Sequence, residues 1–399
     1  MSEELHMDNL TRVFREKISE VEEDEFQFRR ERIRYAISKN GTPEVRLAIG
    51  NIPLSYDLWE GLRNPAVVGM HPLSLSEIWE FYANKTKKTI DEYGRQTIFK
   101  IPRQFDSMQK DFKRTIIISV MLPFSDKLIN DYARVILEKG RGSSHLFTRM
   151  YEDINHIIDK ATSRVAIDLV TDKNVVLAMD NDTVKCVSND AVPAVHQGDA
   201  HGPAKGGNYS QKSVAALLGL GQFGVARFIF RDELVDGMVQ RFVGPIRSII
   251  VFDKEDVVKD HSGGLIYPTD QWRDFLFKLY DFTNVDPEVN KYRFCTYIPS
   301  NDEGCGECVR RCPSGAQINS VPSPDGKYPE HVSRQKHRFW EDKLEFDFSR
   351  CCEQRGQMTA LFPEWSCARC LSTCATFGRK RTYAAENFYR KMLELTSVE

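Results

Sequence analysis

The sequence has almost no net charge: 55 lysines and arginines stand against 57 aspartates and glutamates in 399 residues. That balance supplies no broad basic surface, so neither a nucleic acid nor an acidic membrane is expected as the main partner. Long apolar runs are missing too. The longest, such as Thr115 to Leu122, fall far short of the roughly 20 residues that cross a bilayer. The N-terminus, Met1-Ser2-Glu3-Glu4-Leu5, leads into interleaved acids and bases, and Arg29-Arg30 is followed by more charge, so no export signal or twin-arginine leader is expected. There is no low-complexity segment and no internal repeat beyond one duplicated cysteine pattern. These absences point to a cytoplasmic protein with a small-molecule substrate, and the length exceeds one ordinary core.

Cysteine is what the chain has in quantity. Ten are present, and six fall in two triplets of the form C-x2-C-x3-C: Cys305, Cys308 and Cys312, followed by Pro313, then Cys367, Cys370 and Cys374. The first triplet matches the tail of the bacterial ferredoxin run, where the last cysteine reaches across to the other cluster. Pro313 fixes φ and removes an N–H, which helps turn the backbone away. Each 4Fe-4S cluster takes four thiolates, so two more ligands are needed. Cys295 precedes the first triplet with nine residues between it and Cys305, and Cys351 or Cys352 precedes the second. The crossed rule assigns one cluster to Cys295, Cys305, Cys308 and Cys374. The other takes Cys351 or Cys352 with Cys367, Cys370 and Cys312. A structural zinc site and a disulfide framework are the alternatives. Zinc leaves the third cysteine of each triplet and Pro313 unexplained, and disulfide frameworks suit small secreted domains. Cys186 reads as a core or loop thiol.

The order of elements predicts an α+β fold in three parts: a charged helical N-terminal arm over 1–45, an α+β domain over 46–285 and an iron-sulfur domain over 286–399. Residues 3 to 38 favour helix and read as a solvated amphipathic surface. A capping box at Ser74 and Glu77 starts a helix expected over 74–92. Thr115 to Leu122, Ala226 to Phe230 and Ile246 to Phe252 read as strands, and helices are expected at 126–138 and 144–170.

A second signal is the glycine-rich stretch from His196 to Tyr209, followed by a short helical run into Gly219-Leu220-Gly221-Gln222-Phe223-Gly224. Glycine is costly unless the backbone turns tightly or approaches a ligand closely. The motif follows a helical run and not a strand, which argues against a Rossmann phosphate loop. A packing turn and a cofactor-binding turn made by Gly219, Leu220, Gly221 and Gly224 both remain open.

The alanine-rich helix leading into Gly219-Leu220-Gly221-x-x-Gly224, then Pro245-x-Arg247, Phe294-Cys295, C-x2-C-x3-C-P and a distal cysteine before a second triplet resembles the superfamily of cobalamin-dependent reductive dehalogenases and epoxyqueuosine reductases. The resemblance covers about residues 110 to 385. It implies a nitroreductase-like cobalamin-binding domain, followed by a ferredoxin-like domain whose two 4Fe-4S clusters feed electrons to a Co(I) corrinoid. Phe294-Cys295, and Trp340 ahead of Arg350-Cys351, are closer to the dehalogenases. The resemblance therefore implies reductive dehalogenation of a small organohalide, with epoxide reduction on a tRNA base or a corrinoid-free electron-transfer protein as alternatives. It also implies a low-potential donor such as ferredoxin or flavodoxin, and a proton donor shortly before the glycine turn. Tyr209 is the first choice for that donor, with Lys205, His201 and Asp199 in reserve. The pattern departs from the family where Cys374 is followed by Ala375 instead of proline and where the first loop is expanded.

Overall fold

The computed structural model describes residues 7–39, 42–53, 88–90, 96–98, 114–139, 145–171, 174–179, 183–186, 195–196, 211–226, 228–235, 238–253, 286–297, 304–310 and 312, with single positions between 271 and 279 and between 370 and 395. Two helices open the chain, α1 (Met7–Glu23) and α2 (Gln27–Ile37), followed by the short paired strands β1 (Ser38–Lys39) and β2 (Thr42–Pro43). Then come β3 (Arg46–Pro53), β4 (Lys88–Ile90), β5 (Gln96–Ile98), β6 (Arg114–Met121), α3 (Asp126–Lys139) and α4 (His145–Asp168). The middle of the chain gives β7 (Asn174–Met179), β8 (Thr183–Cys186), β9 (Val195–His196), α5 (Gln211–Leu217) and β10 (Gln222–Phe223). Strands β11 (Ile229–Val235), β12 (Met238–Phe242) and β13 (Ile246–Asp253) follow, then the single-turn helices α6 (Pro287–Asn290) and α7 (Glu307–Arg310).

The largest sheet has six antiparallel strands in the order β3-β6-β13-β7-β8-β9. Its central strands, RTIIISVM and IRSIIVFD, are apolar on both faces, as strands covered on both sides must be. On one face Ile49, Ile118, Ile249 and Ala178 lie in register, with Ile116, Val251 and Val176 beside them. All seven are buried in one core with Leu10, Phe14 and Ile18 of α1 and with Ile154, Ile157, Ile158 and Ala161 of α4. The helical residues recur at three- and four-residue spacing, which puts them on one stripe. On the other face Ala48, Ser119 and Ser248 are in register, and α5 packs across β6 and β13.

The N-terminal helices form where the sequence predicts them, but they belong to the core and not to a separate solvated arm. Their charges dominate the composition, while Leu10, Phe14, Ile18 and Val21 at helical spacing decide the packing. The helix expected over 74–92 lies outside the described residues except at its end, where Lys88–Ile90 is instead a strand paired with Gln96–Ile98. Its β-branched Thr89 and Ile90 suit that conformation. Among the described residues no helix is long and apolar enough to cross a membrane.

Charges tie the first two helices to α4. Glu25 accepts from Arg29 at 2.8 Å, contacts the His156 ring at 3.0 Å and lies 3.4 Å from Lys160 Nζ, while Asp153 pairs with Arg29 and Arg32. Burial, with Arg29 and Lys160 nearby, lowers the His156 pKa against the opposing pull of Glu25. Burial pushes the Glu25 carboxyl up, but Arg29, His156 and Lys160 together hold it below its ordinary value. An unfolded chain therefore takes up protons before the folded one at both sites. Stability is expected to be complete above about pH 6.5 and to fall as His156 enters its titration range, then again as pH drops through the folded Glu25 value. Thermal melts across pH 7 to 4 check this, and His156→Gln should flatten the upper step.

Candidate metal centre

Four thiols drawn from three parts of the chain surround one partly open cavity: Cys295, Cys305, Cys308 and Cys374. The segment carrying Cys295 is fixed by its neighbours. Buried Arg293 donates to the carbonyls of Leu279 at 2.8 Å and Lys278 at 3.1 Å, and Gln222 donates to the Tyr292 carbonyl at 3.0 Å while accepting from the Phe294 N–H at 3.3 Å. The Phe294 ring meets Phe230 edge-on with centroids 5.5 Å apart. Cys305 is held by its N–H, which donates to Thr296 Oγ1 at 3.2 Å. Gly304 and Gly306 flank it with φ of 84° and 51°, in the left-handed region that a side chain disfavours. A Cβ on Gly304 would also collide with the Thr296 carbonyl. The loop then enters α7, which carries Cys308.

The fourth thiol, Cys374, meets a buried ion pair. Asp232 and Arg241 face each other across the β11–β12 hairpin and pair bidentately, Nε to Oδ1 and Nη2 to Oδ2, both at 2.6 Å. Their side chains are 1% and 3% exposed for Arg241 and Asp232 respectively. Arg241 Nη1 lies 3.5 Å from the Cys374 carbonyl oxygen and 3.8 Å from its Sγ. The guanidinium also covers the Phe294 ring at 4.7 Å.

Cys295, Cys305, Cys308 and Cys374 are free thiols. Burial, then the neighbouring sulfurs of Cys374, Cys295, Cys370 and Cys305, pushes the Cys308 thiol well up. Burial pushes Cys374 up to about 12, with Arg241 pulling the other way and Cys295 and Cys305 adding to the rise. Such thiols keep their protons until a cation arrives, so loading the site with metal releases protons. Among the described residues no three His, Cys, Asp or Glu side chains converge as ligands of a single ion do. The thiols line a cavity of about 30 Å³ that is partly open to solvent.

The structure brings together the four residues that the crossed rule assigns to one cluster. Cys312 does not line the cavity; its N–H donates to the Val309 carbonyl at 3.1 Å as α7 ends. Cys370 lies near enough to influence Cys308 without lining the cavity. Cys351, Cys352 and Cys367 lie outside the described residues, as do Tyr209, Lys205, His201 and Asp199.

The glycine turn is described. Gly219 stands at φ 73° just past α5. The Leu220 N–H bonds to the Ala215 carbonyl and the Gly219 N–H to that of Ala216, the pairing of a Schellman cap. A Cβ on Gly221 would fall 2.5 Å from the Phe230 carbonyl oxygen, and one on Gly224 would fall 3.2 Å from Phe294 Cζ. Leu220 is buried. Helix capping and close packing account for these glycines, and the turn supports the wall that carries Phe294 and Cys295. Asp232 and Arg241 are the site residues that sequence reasoning missed. Opposite charges on either side of a short hairpin were the available signal.

Comparison of the chain with protein-family models, curated proteins and solved structures found no match.

Proposed function

We propose that this chain is a corrinoid- and iron-sulfur-dependent reductase that removes halide from a small organohalide. The observation carrying this reading is the ring of Cys295, Cys305, Cys308 and Cys374, because it joins both triplets in the crossed order of a two-cluster ferredoxin arrangement. Cys312, Cys367 and Cys370 with Cys351 or Cys352 would hold the second cluster. When bound, the clusters supply single electrons at low potential and the corrinoid supplies a strongly reducing metal. Overall, two electrons and one proton replace a carbon–halogen bond by carbon–hydrogen and release halide.

The chain's own residues have separable tasks. Phe294, backed by Phe230, lines one side of the thiol ring, and Arg241 faces Cys374 there. Tyr209 would hold the proton at its phenol oxygen, with Lys205, His201 and Asp199 as the other candidates.

A corrinoid-free electron-transfer protein is the second reading, favoured by the packing that accounts for Gly219, Gly221 and Gly224. Anaerobic purification with corrinoid supplied, followed by iron, sulfide and cobalt analysis and an optical spectrum, separates the two. About eight irons and one cobalt per chain, with halide released from a test organohalide, supports the reductase. Iron without cobalt supports electron transfer alone, and zinc in place of iron overturns both.

A further inference from the structure

Arg241 sits where its charge has a second use. Its Nε and Nη2 are committed to Asp232, which leaves Nη1 directed at Cys374, 3.8 Å from the sulfur. The pair is buried, and Phe294 and Phe230 lie 4.7 Å and 5.8 Å from the guanidinium carbon. Buried ion pairs are weak contributors to stability, because desolvation offsets their attraction. Low local dielectric instead lengthens the reach of the charge toward whatever the thiols hold.

We propose that Arg241 sets the reduction potential of the cluster held by Cys295, Cys305, Cys308 and Cys374, acting through Cys374 as a buried N–H donor and counter-charge that Asp232 orients. This rests on the iron-sulfur reading of the thiol ring. An oxidised 4Fe-4S cluster with four thiolates is a dianion, and one electron from a low-potential donor makes it a trianion. A nearby guanidinium favours the trianion, so it raises the potential. Hydrogen bonds to sulfur and local charge are among the principal controls on such potentials. Asp232 opposes part of that charge, so the two side chains act with opposite sign. Arg241 is thus a positioning and tuning residue that touches a ligand and not the substrate.

The test is an EPR-monitored potentiometric titration of the full chain, reconstituted anaerobically with iron and sulfide and reduced by dithionite. Arg241→Gln is expected to lower the potential of this cluster by at least the equivalent of a tenfold change in the one-electron equilibrium, about 59 mV. Asp232→Asn is expected to raise it, Arg241→Lys to shift it less than Arg241→Gln, and the other cluster to stay unmoved. Should Arg241→Gln fail to hold iron, Asp232→Asn alone decides: an upward shift upholds the proposal and an unchanged potential overturns it. Clusters present at full occupancy with unmoved potentials, or with both variants shifting the same way, also overturn it while leaving the iron-sulfur reading intact. A wild-type chain that takes up no iron and sulfide removes that reading, and the tuning role with it.

Discussion

Replacing Cys374 by serine is expected to reduce the iron of the reconstituted protein from about eight to about four atoms per chain. The cluster lost should be the one that Cys308→Ser also removes, although Cys308 and Cys374 belong to different triplets. Both thiols line the same cavity with Cys295 and Cys305. A sequential arrangement, in which each triplet served its own cluster, would group Cys374 with Cys367 and Cys370 instead. Cys312→Ser supplies the complement, because Cys312 leaves the cavity at the end of α7. It should spare the cluster removed by Cys308→Ser and delete the other. EPR spectra of the three variants, with iron and sulfide analysis, check the grouping. Identical residual signals from Cys312→Ser and Cys308→Ser would contradict it.

Arg247→Met is expected to destabilise the main sheet domain by about 2 kcal/mol, within the range for losing hydrogen bonds to a charged group. Arg247 is 3% exposed. Its Nε pairs with Asp159, its Nη2 donates to Asn155 Oδ1 at 2.7 Å, and its Nη1 donates to the Ile246 carbonyl at 2.8 Å. The side chain thus pins β13, in the middle of the sheet, to α4. Methionine fills much of the same volume but makes none of the three hydrogen bonds of Arg247. The melting temperature should drop by about 6 °C. The potential of the cluster read for Arg241 should not change, which separates this arginine from Arg241.

Sequence legibility tracked how closely each element followed one rule. Runs of β-branched residues marked Arg114–Met121 and Ile246–Asp253, and helical spacing marked Asp126–Lys139 and His145–Asp168, to within a few residues. Strand Arg46–Pro53 escaped because Gly50 and Pro53 read as breakers. It lies at the sheet edge, where a terminal proline costs no central ladder bond. The strand expected at Ala226 to Phe230 runs instead from Ile229 to Val235. Asp232 faces inward beside Phe230 because Arg241 meets it there, so a buried charge replaces the apolar residue that alternation would call for. The same inversion hid Arg241 as a site residue. The cysteine grouping was legible for the opposite reason: the triplet cysteines sit at short fixed spacings that are visible in the sequence itself.

About 65 residues separate Cys308 from Cys374, and on the proposed reading one cluster holds both ends. Pinning a loop of that length removes chain entropy from the unfolded state, about 4 kcal/mol by the relation used for disulfides. The iron would then be a fastening as well as a conductor. Oxygen or a chelator that strips it would release a long segment of chain at the same moment as it stops electron flow. Protease resistance of that segment would report whether the protein still holds its metal.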